Sequence, residues 1–341
     1  MEHIGIDLGS KESQICVRDD AGTIVLERRW RTERLGLFLK RRPQARVILE
    51  TCTEAFRVAA AAVAAGHEVR VVPATLVRSL GVGQRGLKTD VRDARVLSEA
   101  SCRMDLPSVH IPTALSQEVK AVCVSREALI KARTQLVGRI RSYVRGRLGR
   151  VLRATPESLP KRVRAVLLED EAGLPVHVDR TLIVLETLSA QIAEADDELR
   201  LLAEADARMS RLMSVPGVGP VTAARFVAAV DDVKRFPTAA SLASYLGLVP
   251  GENTTGFRTK RTRLTRAGAP QVRWALGQAA WSIYVRRKQD PMAAWAKQIA
   301  ARRGPQVAIM ALARKLAHVL YAMWKHETSY DPTRAASGAI A

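Results

Sequence analysis

The chain has 341 residues, room for about two domains, and 47% of them are apolar, enough to bury a core. Lysine and arginine number 54 against 34 acidic residues, a formal charge of +20 and a pI near 10.6. A surplus of that size calls for a polyanionic partner, and nucleic acid is the usual one. The sequence carries no run of 18 apolar residues, no signal-peptide pattern at MEHIGIDLGS and no zinc spacing around Cys16, Cys52, Cys102 or Cys123. Together these argue against a membrane span, a secreted disulfide framework or a structural zinc, and lead us to expect reduced cysteines in a cytoplasmic protein.

Strand and helix signals alternate through the first hundred residues. HIGIDL (3–8) predicts a strand. Segments 13–19 and 23–30 predict two more, joined by the turn signal Asp20-Ala21-Gly22. A polar helix follows at 32–41, a β-branched strand at 45–50, an Ala-rich helix at 54–66 stopped by Gly66, a strand at 68–73 and a helix at about 89–103. A hairpin-led sheet with helical crossovers fits a ribonuclease-H-like α/β domain over 1–112.

Strand signals stop near 115, so the rest is expected to be all-α. Segment 126–153 holds nine basic residues and one acidic one, with Leu129, Leu136, Ile140, Val144, Leu148 and Val151 at helical spacing. It predicts a long helix whose basic face, including Arg139, Arg141 and Arg145, contacts nucleic acid. In 178–206, Leu185, Leu188, Ile192, Ala195, Leu199 and Leu202 form a heptad seam. The seam can close a hairpin within the chain or join copies. A helical and partly coiled-coil region is therefore expected over 113–208, and a small helical domain over 209–330. Within the latter, Gly217 and Gly219 of PGVGP precede a helix. The pattern suits a helix-hairpin-helix that grips phosphate, or a plain turn between packed helices. From Phe257 to Gln289 there are nine Lys or Arg and no acid; Arg258, Lys260, Arg261, Arg263 and Arg266 predict an irregular, phosphate-gripping loop. Aromatics at 4% leave base stacking a small part. The tail, 331–341, is expected to be disordered.

Four acids stand at positions that an α/β sheet can bring together. Asp7 ends the first strand, Glu50 ends the fourth, and Asp90 and Asp93 lie three apart on one helix. Phosphoryl transfer on DNA needs charge neutralised at the attacking and leaving oxygens. Mg²⁺ or Mn²⁺ held by carboxylates supplies that.

These residues carry a resemblance. IGIDLGSKES, VILETCTEAF and KTDVRDARVLSEA, followed by PGVGPVTA, SLASYLGLVP and RAGAPQVRWAL, resemble the DEDD transposases of bacterial insertion sequences, the IS-one-ten group. The resemblance implies a RuvC-like N-terminal domain and a metal site of Asp7, Glu50, Asp90 and Asp93. It implies a dimer-to-tetramer assembly and a noncoding bridge RNA that pairs with donor and target DNA. It further implies a nucleophilic serine five residues past the Pro of GL-x-P, where this chain has Thr255, beside Thr254. Thr255 is the expected nucleophile, with Arg258 and Arg261 near the transferring phosphate. A second departure is Cys52-Thr53, where the family usually has Thr-Gly. Three other readings stay open: a Holliday-junction resolvase using water, an actin-like or sugar-kinase ATPase holding Mg-ATP at Asp7, Gly9 and Ser10, and a non-catalytic RNA- or DNA-binding derivative.

Overall fold

Three short runs with apolar centres or starts, HIGI, ICV and IVL, build a meander at the start of the chain. Two parallel strands reached through helices extend it. The computed structural model describes residues 1–79, 89–170, 173–255, 258–287 and 289–333, in two units, Met1–Pro112 and Thr113–Ala341. The expected disordered tail lies almost wholly outside the described residues.

In the first unit β1 (Glu2–Asp7), β2 (Glu12–Arg18) and β3 (Ile24–Arg31) are antiparallel neighbours. β4 (Ala45–Glu50) and β5 (Glu68–Val72) join on the other side of β1, both parallel, giving the order β3-β2-β1-β4-β5. One face buries Ile4, Ile6, Ile15, Val17, Val47 and Leu49 against α1 (Leu35–Lys40) and α2 (Ala55–Ala64). The opposite face buries Ile48 and Val72 against Leu97 and Ala100 of α4 (Asp90–Arg103). A short helix α3 (Ala74–Ser79), absent from the sequence-based expectation, follows β5.

The second unit opens with α5 (Ala114–Leu148), 35 residues and so about 52 Å long. It packs against α7 (Val176–Ala205), with α6 (Leu159–Leu168) between them in sequence. Val137, Ile140 and Val144 meet Leu159, Val163, Leu182 and Leu185 in a core at the far end of this arm. At the near end Val119, Cys123, Leu199 and Ala203 enter a separate core. The heptad seam of α7 therefore closes a hairpin with α5 inside the chain, its Leu185, Ile192 and Leu199 all buried. α5 stops at Leu148, short of the expected end, which leaves Val151 exposed.

The near core is completed by α8 (Ala207–Leu212), α9 (Pro220–Val230), α10 (Ala239–Tyr245), α11 (Pro270–Arg286), α12 (Pro291–Arg303) and α13 (Pro305–Lys325). Among the described residues α13 is the one helix long and apolar enough to cross a membrane by length and composition; half of its apolar window is buried in this core. The all-α expectation for this region is corrected by a hairpin, β6 (Pro250–Thr255) with β7 (Arg258–Leu264). β6 reads PGENTT and β7 RTKRTRL, polar and charged runs that a search for apolar alternation passes over.

Asp231 anchors the start of α5. Its carboxylate accepts from Thr113 N at 2.9 Å, Thr113 Oγ1 at 2.6 Å and Ser116 Oγ at 2.5 Å, and Thr113 is itself the helix N-cap. Asp231 is 5% exposed, so Asp231→Ala strands three donors away from water. The expected loss is about 2–3 kcal/mol, read as a lower urea midpoint at unchanged slope. A midpoint within error of wild type would show that the clamp contributes nothing.

Candidate active site

Asp7 and Glu50 are the last residues of β1 and β4, which run parallel with Ile6 opposite Leu49. One step further in that register, Asp7 and Glu50 are neighbours at the carboxyl ends of adjacent strands, about 5 Å apart between backbones. β1 is also where the sheet changes from antiparallel to parallel, the place at which open α/β sheets receive ligands.

Residue alternation puts Gly5 and Asp7 on the same face of β1, the face covered by α4. A Cβ on Gly5 would lie 2.4 Å from Ala94 O and 2.6 Å from Ser98 N, so α4 rests on bare backbone there. Two residues back along β1, His3 Nδ1 is hydrogen-bonded to Ser101 Oγ at 2.7 Å. Burial, with the Arg46 guanidinium second, holds the His3 imidazole below its ordinary pKa and keeps it neutral in that contact. These two contacts set the direction: α4 runs antiparallel to β1, and two strand residues match about four helix residues. Continuing from Gly5 to Asp7 therefore reaches helix positions between Asp90 and Asp93.

The two helix acids differ. Thr89 is the N-cap of α4, its hydroxyl accepting from Arg92 N, and Asp90 is the first helical residue, exposed, where a negative charge suits the helix dipole. Helix initiation alone accounts for both. It does not account for Asp93, which is 2% exposed and faces the sheet. Buried carboxylates are rare because ionised groups lose hydration at a cost of many kcal/mol. Three or four hard oxygen donors at one sheet edge suit Mg²⁺ or Mn²⁺ in kind. Among the described residues, however, no three such side chains stand close enough to form a closed cage.

The motifs of the second unit form a brace. Gly247, at φ +68°, would place a Cβ 2.2 Å from Ala267 O; Gly268, at φ +73°, would place one 2.1 Å from Tyr245 O. Only glycine fits at either contact. Arg273 ties the two segments, donating to Leu246 O, Ala267 O and Gly268 O at 3.2, 2.5 and 3.1 Å. Thr265 N then donates to Val249 O at 2.9 Å, and Pro250 pairs with Leu264 to begin the hairpin. SYLGLVP and RAGAPQVR thus fix the base of the ribbon. At its other end Thr255 pairs with Arg258, and Gly256 and Phe257 between them lie outside the described residues. Thr254 Oγ1 donates to Glu252 Oε1 at 3.0 Å, a contact that no sequence pattern announced.

The expected nucleic-acid contacts are spread over unit two. Arg139, Arg141 and Arg145 are exposed on α5, and Arg141 donates to Ala154 O at 2.7 Å. Lys260 and Arg261, like Arg258, belong to β7, as does Arg263, which is exposed; Arg266 is exposed just beyond it. They ride on a strand, where the sequence predicted an irregular loop. Gly217 turns the chain against α11, where a Cβ would come 2.9 Å from Ala279 O, so packing explains it. Gly219 is the N-cap residue of α9, with open space beside it. Two tryptophans, Trp274 and Trp281, are 58% and 50% exposed a heptad apart on α11, more aromatic surface than the 4% content suggests.

Comparison with known proteins finds transposases matching both units. Residues 4–147 match a family model described as a DEDD transposase of the IS110 type, and residues 209–296 match the transposase family IS116/IS110/IS902. A probable family 20 transposase of Pseudomonas aeruginosa is 29% identical over 97% of this chain and 99% of its own length. The transposase for insertion sequence element IS1111A of Coxiella burnetii is 26% identical over 96% of this chain and 90% of its own. The transposase for element IS1328 of Yersinia enterocolitica is 26% identical over 96% and 98%. The chain belongs to the IS110/IS116 family of insertion-sequence transposases.

Proposed function

We propose that the chain cuts and rejoins DNA strands with a ribonuclease-H-like, RuvC-like carboxylate site, Asp7, Glu50, Asp90 and Asp93, and a hydroxyl nucleophile carried by the β6–β7 hairpin. The observation that carries the reading is the buried carboxylate of Asp93 on α4, the helix that rests on β1 at Gly5. Bound Mg²⁺ or Mn²⁺ would supply neutralisation of charge on the attacking and leaving oxygens. The four acids would hold it and orient the scissile phosphate. The Thr255 hydroxyl gives up its proton and forms an Oγ–P bond as the P–O bond to deoxyribose breaks and a hydroxyl end is released. After strand exchange that hydroxyl attacks the phosphothreonine, restoring a phosphodiester and the threonine. The number of phosphodiester bonds is conserved, so no nucleotide hydrolysis is required. Arg258 and Arg261 would stabilise the charge on the transferring phosphate. Donor and target DNA would be chosen by a bridge RNA, within a dimer or tetramer.

A specific observation favours a second nucleophile. Thr254 already donates to the Glu252 carboxylate, and a hydroxyl paired with a base is the usual mark of an activated nucleophile. The two are separated by recombination in cells carrying donor and target plasmids plus the element's flanking noncoding sequence. Thr255→Ala is expected to remove both sealed junctions and the protein–DNA adduct seen on denaturing gels, while Thr254→Ala retains them. The reverse pattern moves the role to Thr254. Free 5′-phosphates with no adduct in wild type would indicate hydrolysis by water instead.

A further inference from the structure

The face of the sheet opposite Asp93 is covered by α1 and α2, and the edge strand β3 joins that layer through Leu26 and Trp30. The register pairs Ile15 with Arg28 and Ser13 with Trp30, which places Arg28 and Trp30 on the outermost strand, β3. Between them and α1 lies a cavity of about 470 Å³, lined by Arg28, Trp30, Arg34, Phe38, Arg41 and Arg42 with two leucines. Among the described residues no carboxylate lines it. The Arg28 guanidinium lies 4.7 Å over the Trp30 ring, Trp30 and Phe38 are 5.6 Å apart and tilted by 51°, and the Arg42 guanidinium lies 5.8 Å over Phe38. Arg42 is committed to Glu2 by bonds of 3.1 and 2.8 Å, and Arg34 lies 3.9 Å from the exposed Glu33. Arg28, Arg34 and Arg41 are exposed.

We propose that this groove binds a phosphodiester strand, with Arg28, Arg34 and Arg41 on successive phosphates and Trp30 offering a stacking surface to a base. The inference rests on the nucleic-acid reading above and adds a contact on the opposite side of the sheet from the carboxylates. Guanidiniums suit phosphate oxygens, stacking on Trp30 fixes the direction of Arg28 in advance, and a lining of arginines with no carboxylate among the described residues favours a polyanion and repels cationic partners. RNA and DNA share this chemistry, so the probes are a short single-stranded RNA and the DNA of the same sequence.

The test is anisotropy titration of the full chain over a range of salt. Every phosphate that a side chain neutralises adds about 0.7 to the steepness of log K against log salt for a single strand. Arg28→Gln, Arg34→Gln and Arg41→Gln combined are expected to lower the slope by about 2 on that scale. Lys297→Gln, Arg302→Gln and Arg303→Gln, all exposed on α12, serve as the charge-matched control and leave the slope higher. Trp30→Phe is expected to remove part of the tryptophan quenching on binding while leaving the slope unchanged. A larger effect on RNA than on DNA assigns the groove to the guide; the converse assigns it to the substrate. Wild-type binding with an unaltered slope in the Arg28, Arg34 and Arg41 triple variant overturns the groove and leaves the proposed function standing. A triple variant altered only in sedimentation would make β3 a contact between copies and also overturns it. Failure of wild type to bind either probe defeats the proposed function itself.

Discussion

Asp93→Asn is expected to abolish sealed junctions while leaving the fold intact. The amide keeps the shape of the carboxylate and removes its charge. At a position only 2% exposed, a neutral group is easier to bury, so the melting temperature should hold or rise. The activity loss should be large. Transition-state charge stabilisation by a carboxylate-held metal amounts to several kcal/mol, and at about 1.4 kcal/mol per tenfold that is on the order of 10³-fold or more. Asp7→Asn and Glu50→Gln, at the ends of β1 and β4, should behave alike. Asp90→Asn is the informative comparison, because Asp90 is exposed at the first turn of α4 and helix initiation already accounts for it. A smaller loss there would rank the four acids by burial. Junctions near wild-type level in Asp93→Asn would remove the carboxylate site from the mechanism.

Gly5→Ala should damage both stability and activity, although residue 5 bears no functional group. The new methyl would meet Ala94 O and Ser98 N, main-chain atoms that cannot swing aside. α4 must lift from β1, and overpacking of this kind costs about 1–3 kcal/mol. For a unit of this size the melting temperature should fall by about 4–8 °C per kcal/mol. Because Asp93 rides on the displaced helix, a shift near 1 Å should lower recombination about 10²-fold. Gly36→Ala is the control: on α1 its methyl would find only the Ala61 Cβ at 3.6 Å, an ordinary contact. Equal effects from both substitutions would show that close packing at Gly5 is not what positions α4.

The first unit was legible because its strands are apolar and β-branched and their ends carry the acids. ARVILE and HIGIDL announce buried strands, and parallel pairing then makes neighbours of Asp7 and Glu50. The three-residue spacing of Asp90 and Asp93 was legible too, but their different burial was not, since it depends on where α4 crosses Gly5. The sequence hides the β6–β7 hairpin because PGENTT and RTKRTRL are almost wholly polar, and a hydrophobic pattern treats such runs as loop. PGVGP suits a phosphate grip and a plain turn between packed helices equally, and RAGAP carries only the family resemblance. Gly217 and Gly268 answer to close packing against α11 and Tyr245. The groove beside β3 was invisible because Arg28, Trp30 and Arg41 come together only through strand register and the placement of α1.

The arm of α5 and α7 has a consequence for descent. Its tip core and its base core share no residue, and only the helical pair runs between them. Seven residues added to α5 and seven to α7 between those cores would return every face to nearly its old bearing, two turns further out. A single added residue would swing the tip by about 100°. Relatives of this chain can therefore diverge in reach by whole heptads while each end keeps its own interior, so length in this arm is a heritable dimension that neither core constrains.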